Sequence, residues 1–190
     1  MIAADDNYTL YVNGGFIGQG YNYQEGQSYC VKLDFTTTRN VFAVAVQNQG
    51  TAPNPAALLV AINIIYIDGT TITAVSDATW RANNNEIAGF ESVGFDDSAW
   101  PDAVVVGNAD SPTWGLPSLP SASSLSLANS YWIWNSQVPP GSPTSTAPVG
   151  NFAFRKTYKV PGGSLVDAGT IIIDADDGYT LYQRRNDRKW

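Results

Sequence analysis

Histidine is absent from this chain of 190 residues. Without an imidazole there is no Ser-His-Asp triad, no Cys-His pair and no histidine zinc site. Cysteine occurs once, at Cys30, so no intrachain disulfide forms and cysteine usage leaves the redox compartment open. Its neighbours Tyr29, Val31 and Leu33 read as a strand, and a buried, inert thiol is expected there. Charge is scarce as well: 14% of the residues are Asp, Glu, Lys or Arg, and the formal net charge is −7. A nucleic-acid binder needs a basic face. The basic residues cluster only at Arg184, Arg185, Arg188 and Lys189, so no nucleic-acid partner is expected. No apolar run approaches the ~18 residues of a membrane helix, and no membrane partner is expected. Met1 runs straight into strand-like sequence with no leader-like stretch. An extracellular protein is expected, with a cytoplasmic one left open.

What is present is hydrophobic, aromatic and uncharged-polar. Hydrophobic residues make up 44% and aromatics 12%, enough for a packed core. Asn, Ser, Thr and Gln supply most of the polar surface, a mixture common in extracellular β proteins. In residues 8–13, Tyr8, Leu10 and Val12 alternate with Thr9, Tyr11 and Asn13, the period of a half-buried strand. Asn13-Gly14 then suits a tight hairpin turn, because both residues tolerate positive φ. Further strands are expected at 28–35, 40–48, 56–67, 71–82, 102–107, 151–160 and 169–182. No stretch sustains a 3.6-residue period. Many short strands with Gly, Pro and Asn turns predict an all-β sandwich or barrel.

The chain also repeats itself. IAADDNYTLY (2–11) and IDADDGYTLY (173–182) agree at eight of ten positions. Residues 1–118 therefore read as the main part of a β-sandwich lacking its first strands. Residues 119–130 are a Ser/Pro-rich linker. Residues 131–190 read as first strands of the same sandwich type. They complete the domain within the chain or by exchange with another molecule, which makes a strand-exchanged homodimer a possible assembly.

At this point the motifs WIW, FRKTY, TIIIDADDGYTLY, YVNG, IGQG, VFAVAVQN, PAALLVAI, TW and GFDDSAW resemble a family. They are similar to galactose-binding-like jelly-roll β-sandwiches. More narrowly, they resemble the calcium-dependent rhamnose-binding carbohydrate-binding modules of α-L-rhamnosidases and related fungal lectin-like proteins. The fold so implied is permuted or truncated here, with the strand motif duplicated. The resemblance implies calcium ligands at Asp6, Asn7 and Asn48, and a backbone carbonyl from Pro55, with Pro53 as the competing choice. It implies a sugar contact at Tyr23, where the family tends to have Trp, with Asn22 beside it and Asp6, Asn7 and Asn48 shared with the metal. The chemistry agrees: calcium takes oxygens from carboxylates, amides and backbone carbonyls, and an acidic chain suits it.

Each of these residues also has a plainer reading. Asp5-Asp6-Asn7 before a strand is an ordinary turn sequence, Asn48 an ordinary loop residue, and Tyr21, Asn22 and Tyr23 a surface or packing loop. Trp80, Trp100, Trp132 and Trp134 read as core, whereas Trp114 is placed at the border of a site. Asp96 and Asp97 are adjacent and point apart, which does not suit two acids flanking a glycosidic bond. The expected function is non-catalytic carbohydrate binding, calcium-dependent, with a terminal rhamnose-like or galactose-like sugar of a plant or microbial glycan. The alternative is a purely structural accessory β-sandwich of a larger glycoside hydrolase.

Overall fold

The computed structural model describes residues 2–34, 38–119, 125–141, 147–162, 164 and 166–173. The second motif copy beyond Ile173, with Asp176, Asp177 and Gly178, and the basic tail lie outside the described residues. Among those described, the secondary structure is all β and every strand pair is antiparallel. The strands are β1 (Ile2–Asp5), β2 (Asn7–Val12), β3 (Gly15–Gly20), β4 (Gln27–Val31), β5 (Arg39–Asn48) and β6 (Ala57–Tyr66). They continue as β7 (Thr71–Val75), β8 (Arg81–Asn83), β9 (Val104–Asn108), β10 (Tyr131–Trp134), β11 (Gly150–Lys159) and β12 (Val166–Ile173).

Two sheets stack as a sandwich. One has the order β1-β4-β12-β6-β10-β9, with β7 also paired to β6; the other runs β3-β2-β5-β11-β8. In the second sheet the alternation read from sequence governs burial. Tyr8, Leu10 and Val12 pair with Val46, Val44 and Phe42, and Val46 and Val44 pair in turn with Phe152 and Phe154 of β11. All of these face the main core. β5 is covered on both faces, which explains why it reads as a nearly continuous apolar run. Its outward residues Val41, Ala43 and Ala45 are small because Phe90 and Trp100, from the loop between β8 and β9, pack over them.

The Asn13-Gly14 turn forms as expected, with φ of 50° and 81° and Val12 facing Gly15 across it. Two expectations need correction. Cys30 is exposed, because the alternation that turns Tyr29 and Val31 inward turns it outward. The stretch 71–82 is not one strand. Asp77 accepts a hydrogen bond from the Thr79 amide (2.8 Å), and this Asx turn separates β7 from β8. Residues 2–5, strand-like in sequence, form β1 in the other sheet, paired with β6.

Within 119–130, Leu125 and Leu127 are buried and the Ser130 hydroxyl donates to the Val60 carbonyl (2.9 Å). Trp80, Trp100, Trp132 and Trp134 are buried. Asp97 accepts from the Arg155 guanidinium (2.8 Å) and Asp96 caps the Ser98 amide (3.0 Å), so the two carboxylates hold a loop.

Candidate functional site

The chain crosses between the sheets at Asp5-Asp6-Asn7, through a cis Asp5–Asp6 peptide. Asp5 ends β1 opposite Ala57, and Asn7 opens β2 opposite Gln47. Strand register brings four further segments to this same end of the sandwich. β5 finishes there at Asn48, β6 starts there at Ala57, β11 starts there at Gly150, and β3 leaves beside Tyr8 at Gly20.

Asp6 and Asn48 are joined by a hydrogen-bond chain. The Gln49 amide donates to the Asp6 carboxylate (2.5 Å), and the Asn54 side-chain amide donates to the Gln49 carbonyl (2.6 Å). The Asn54 backbone amide and the Asn48 side-chain amide both donate to the Ala147 carbonyl (3.2 and 3.1 Å). Asn48 Nδ2 also donates to the Pro148 carbonyl (3.0 Å). These two bonds fix which way the Asn48 amide is turned. Its Oδ1 is buried and has no hydrogen-bond partner among the described residues. An unpaired buried acceptor costs about 1–3 kcal/mol.

Asn7 is placed differently. Its side chain shares the outer face with its cross-strand partner Gln47, and donates to Gln47 Oε1 (2.9 Å). Asn48 is the next residue along β5 and points the opposite way, into the sandwich. The fold therefore brings Asp6 and Asn48 together and sends the Asn7 amide to the outer face, where Gln47 also faces Asn151 of β11. Pro55 is half-buried, two residues before the Ala57 that pairs with Asp5, whereas Pro53 is exposed.

Tyr23 is half-buried and packs against the main core. Asn22 accepts from the Gln24 amide (2.8 Å), closing the turn that carries Tyr23. Ser118 straps this loop down: its amide donates to the Gln24 carbonyl (2.8 Å), and the Gly26 amide donates to its carbonyl (2.6 Å). Trp114, on the same segment as Ser118, donates from Nε1 to the Asp5 carboxylate (2.9 Å) and packs at a tilt against Trp132, with centroids 5.1 Å apart. Thus Trp114 borders this end, as its sequence context suggests. The roles of Gln49, Asn54 and Ala147 were not readable, because no local pattern marks a contact to a residue 99 positions away.

No group of three or more His, Cys, Asp or Glu gathers among the described residues. This end of the sandwich carries the Asp6 carboxylate and the orphaned Asn48 amide oxygen, while the Gln49, Ala147 and Pro148 carbonyls accept the hydrogen bonds described above.

No family model and no curated protein matches the sequence. The structure is similar to that of a lectin from Pleurotus ostreatus in complex with GalNAc, with a TM-score of 0.59. The match covers 95% of this chain and 68% of that one, at 23% identity. At that identity the likeness establishes a shared β-sandwich fold.

Proposed function

We propose that the chain is a non-catalytic carbohydrate-binding protein. It holds a calcium ion at the Asp6–Asn48 end and recognises a terminal rhamnose-like or galactose-like sugar there. The observation that carries this reading is Asn48 Oδ1, a buried acceptor oriented by its own amide and unpartnered among the described residues. A hard cation would satisfy that oxygen, and calcium accepts mixed carboxylate, amide and carbonyl donors. Asp6 supplies the carboxylate, Asn48 the amide oxygen and Pro55 a carbonyl. When bound, such an ion supplies open positions for a vicinal diol. Asn7, with its amide on the outer face, enters as a sugar contact. Tyr23 and Asn22 form the strapped loop that flanks the sugar, the ring offering an apolar face. The Pleurotus lectin's GalNAc complex on the same sandwich supports the carbohydrate reading.

The test is calorimetric titration of L-rhamnose and of N-acetylgalactosamine, in calcium and then in excess chelator, on the wild type and Asp6→Ala. One sugar is expected to give additional heat in calcium that disappears in chelator, and this calcium-dependent binding is expected to be at least tenfold weaker in the variant. Absence of calcium-dependent heat with both sugars, together with no calcium-dependent rise in Tm, would overturn the proposal.

A further inference from the structure

A concavity of about 430 Å3 lies between two tight turns. The first, over residues 108–111, is closed by the Ser111 amide on the Asn108 carbonyl (2.9 Å). The second, over 127–130, is closed by the Ser130 amide on the Leu127 carbonyl (2.8 Å). Both turns are tied to the buried framework. Trp132 Nε1 donates to the Ala109 carbonyl (3.2 Å) and Ser130 Oγ to the Val60 carbonyl (2.9 Å). The Tyr131 amide donates to the Ser76 carbonyl (2.9 Å). The walls are therefore held in place before any ligand arrives.

Asn108 and Asp110 line the cavity from the first turn, Asn129 from the second, and Tyr131 and Leu116 supply its apolar part. Tyr131 and Asn108 are direct cross-strand partners, so their side chains share a face. Tyr131 is 41% exposed and Leu116 52%. Among the described residues, the side chains of Asn108, Asp110 and Asn129 have no hydrogen-bond partners, which leaves a carboxylate and two amides free beside an open ring. Among the described residues no Lys or Arg lines the cavity, which disfavours an anion.

We infer that this cavity is a second sugar-binding site that needs no metal. A pyranose has one face of C–H groups and a rim of hydroxyls. Tyr131 and Leu116 match the first; Asp110 accepts from hydroxyls, while the two amides both donate and accept. The site goes beyond the metal-dependent one, shares no residue with it and stands if that one fails. With both sites present, a single chain is bivalent toward a glycan surface.

The experiment is a microarray of plant and microbial glycans with terminal hexoses and deoxyhexoses, probed in excess chelator, followed by titration of the free sugar that binds best. The wild type is expected to give the same signal in chelator as in calcium for the glycan this cavity takes. Tyr131→Ala is expected to lose at least tenfold and Asp110→Asn several-fold, while Tyr131→Phe, which keeps the ring, retains most of it. Tyr131 and Asp110 are exposed, so an unchanged Tm identifies these losses as losses of contact. No signal from the wild type in chelator, or equal signal from Tyr131→Ala, would overturn the inference. Neither outcome bears on binding that requires calcium.

Discussion

Ile2 and Ile172 sit on successive rungs of the same edge of β6, pairing with Val60 and Ala61. β1 and β12 thus run end to end in one lane, with β4 on the lane's other side. Ile2 and Ile173, the first residues of the two motif copies, both pair with Gln27. The N-terminal strand therefore continues the path that β12 begins, at the point where the sequence repeats.

A circularly permuted chain tests this continuity. Running from Ser130 to Ile173 and directly on into Ala3, then through Asn129, it replaces Ile2 by Ile173 and makes the lane one unbroken strand. It is expected to unfold in a single transition with a Tm equal to or above that of the original. A permuted chain without cooperative unfolding would show that β1 and β12 are not continuous.

Arg155 is 1% exposed, on the outer face of β11. Its guanidinium bonds Asp97 and the carbonyls of Phe90, Ser92 and Phe95, and lies 5.3 Å from the centre of the Phe95 ring. Removing it strands a partly buried carboxylate and several carbonyls at once. Arg155→Ala is expected to lose about 3–5 kcal/mol in urea unfolding. Arg155→Lys is expected to recover little, because one ammonium cannot reproduce a planar fork. A loss below about 1 kcal/mol would show that the loop over β5 is held by its aromatic residues instead.

At the end of the sandwich away from Asp6, the hydroxyls of Tyr66 and Tyr158 hydrogen-bond across the two sheets. Burial first, then the bond to Tyr66, pushes the Tyr158 phenol up to about 12 from 10.0. The unfolded chain therefore loses this proton before the folded one does. The contribution to stability is complete below pH 10.0 and falls as pH rises toward 12. Urea midpoints measured from pH 9 to 12 are expected to fall less steeply in Tyr158→Phe than in the wild type. Equal slopes would place the ionisation elsewhere.

Gly18 lies on β3 where a Cβ would stand 2.5 Å from the ring of Tyr29. That ring belongs to the core beneath the Tyr23 loop. Gly18→Ala is expected to cost about 1–3 kcal/mol by overpacking. The double variant Gly18→Ala, Tyr29→Leu should recover part of that loss in the same denaturation assay. No recovery would mean that the cost arises in the strand and not against Tyr29.

The sequence by itself determined where most strands lie and which of their residues turn inward. Side-chain direction alternates within a few bonds, so Tyr8, Leu10 and Val12 announce their face without reference to any partner. The hairpin at Asn13-Gly14 is equally local, since it depends on the φ angles those two residues accept. The same rule, applied strictly, would have placed Cys30 outside; its apolar neighbours obscured this.

Only the tertiary structure decided which strands become neighbours, and with that what each candidate ligand meets. Asp6 and Asn48 meet through Gln49, Asn54 and Ala147, while Asn7 departs to the outer face, because β2 and β5 pair in one register and not the next. A slip of one residue would exchange every inward and outward side chain. The cavity beside Tyr131 likewise exists because β9 and β10 pair, bringing together two turns about twenty residues apart in sequence. Contacts of that kind are fixed by burial summed over the whole sandwich, and no local pattern encodes them.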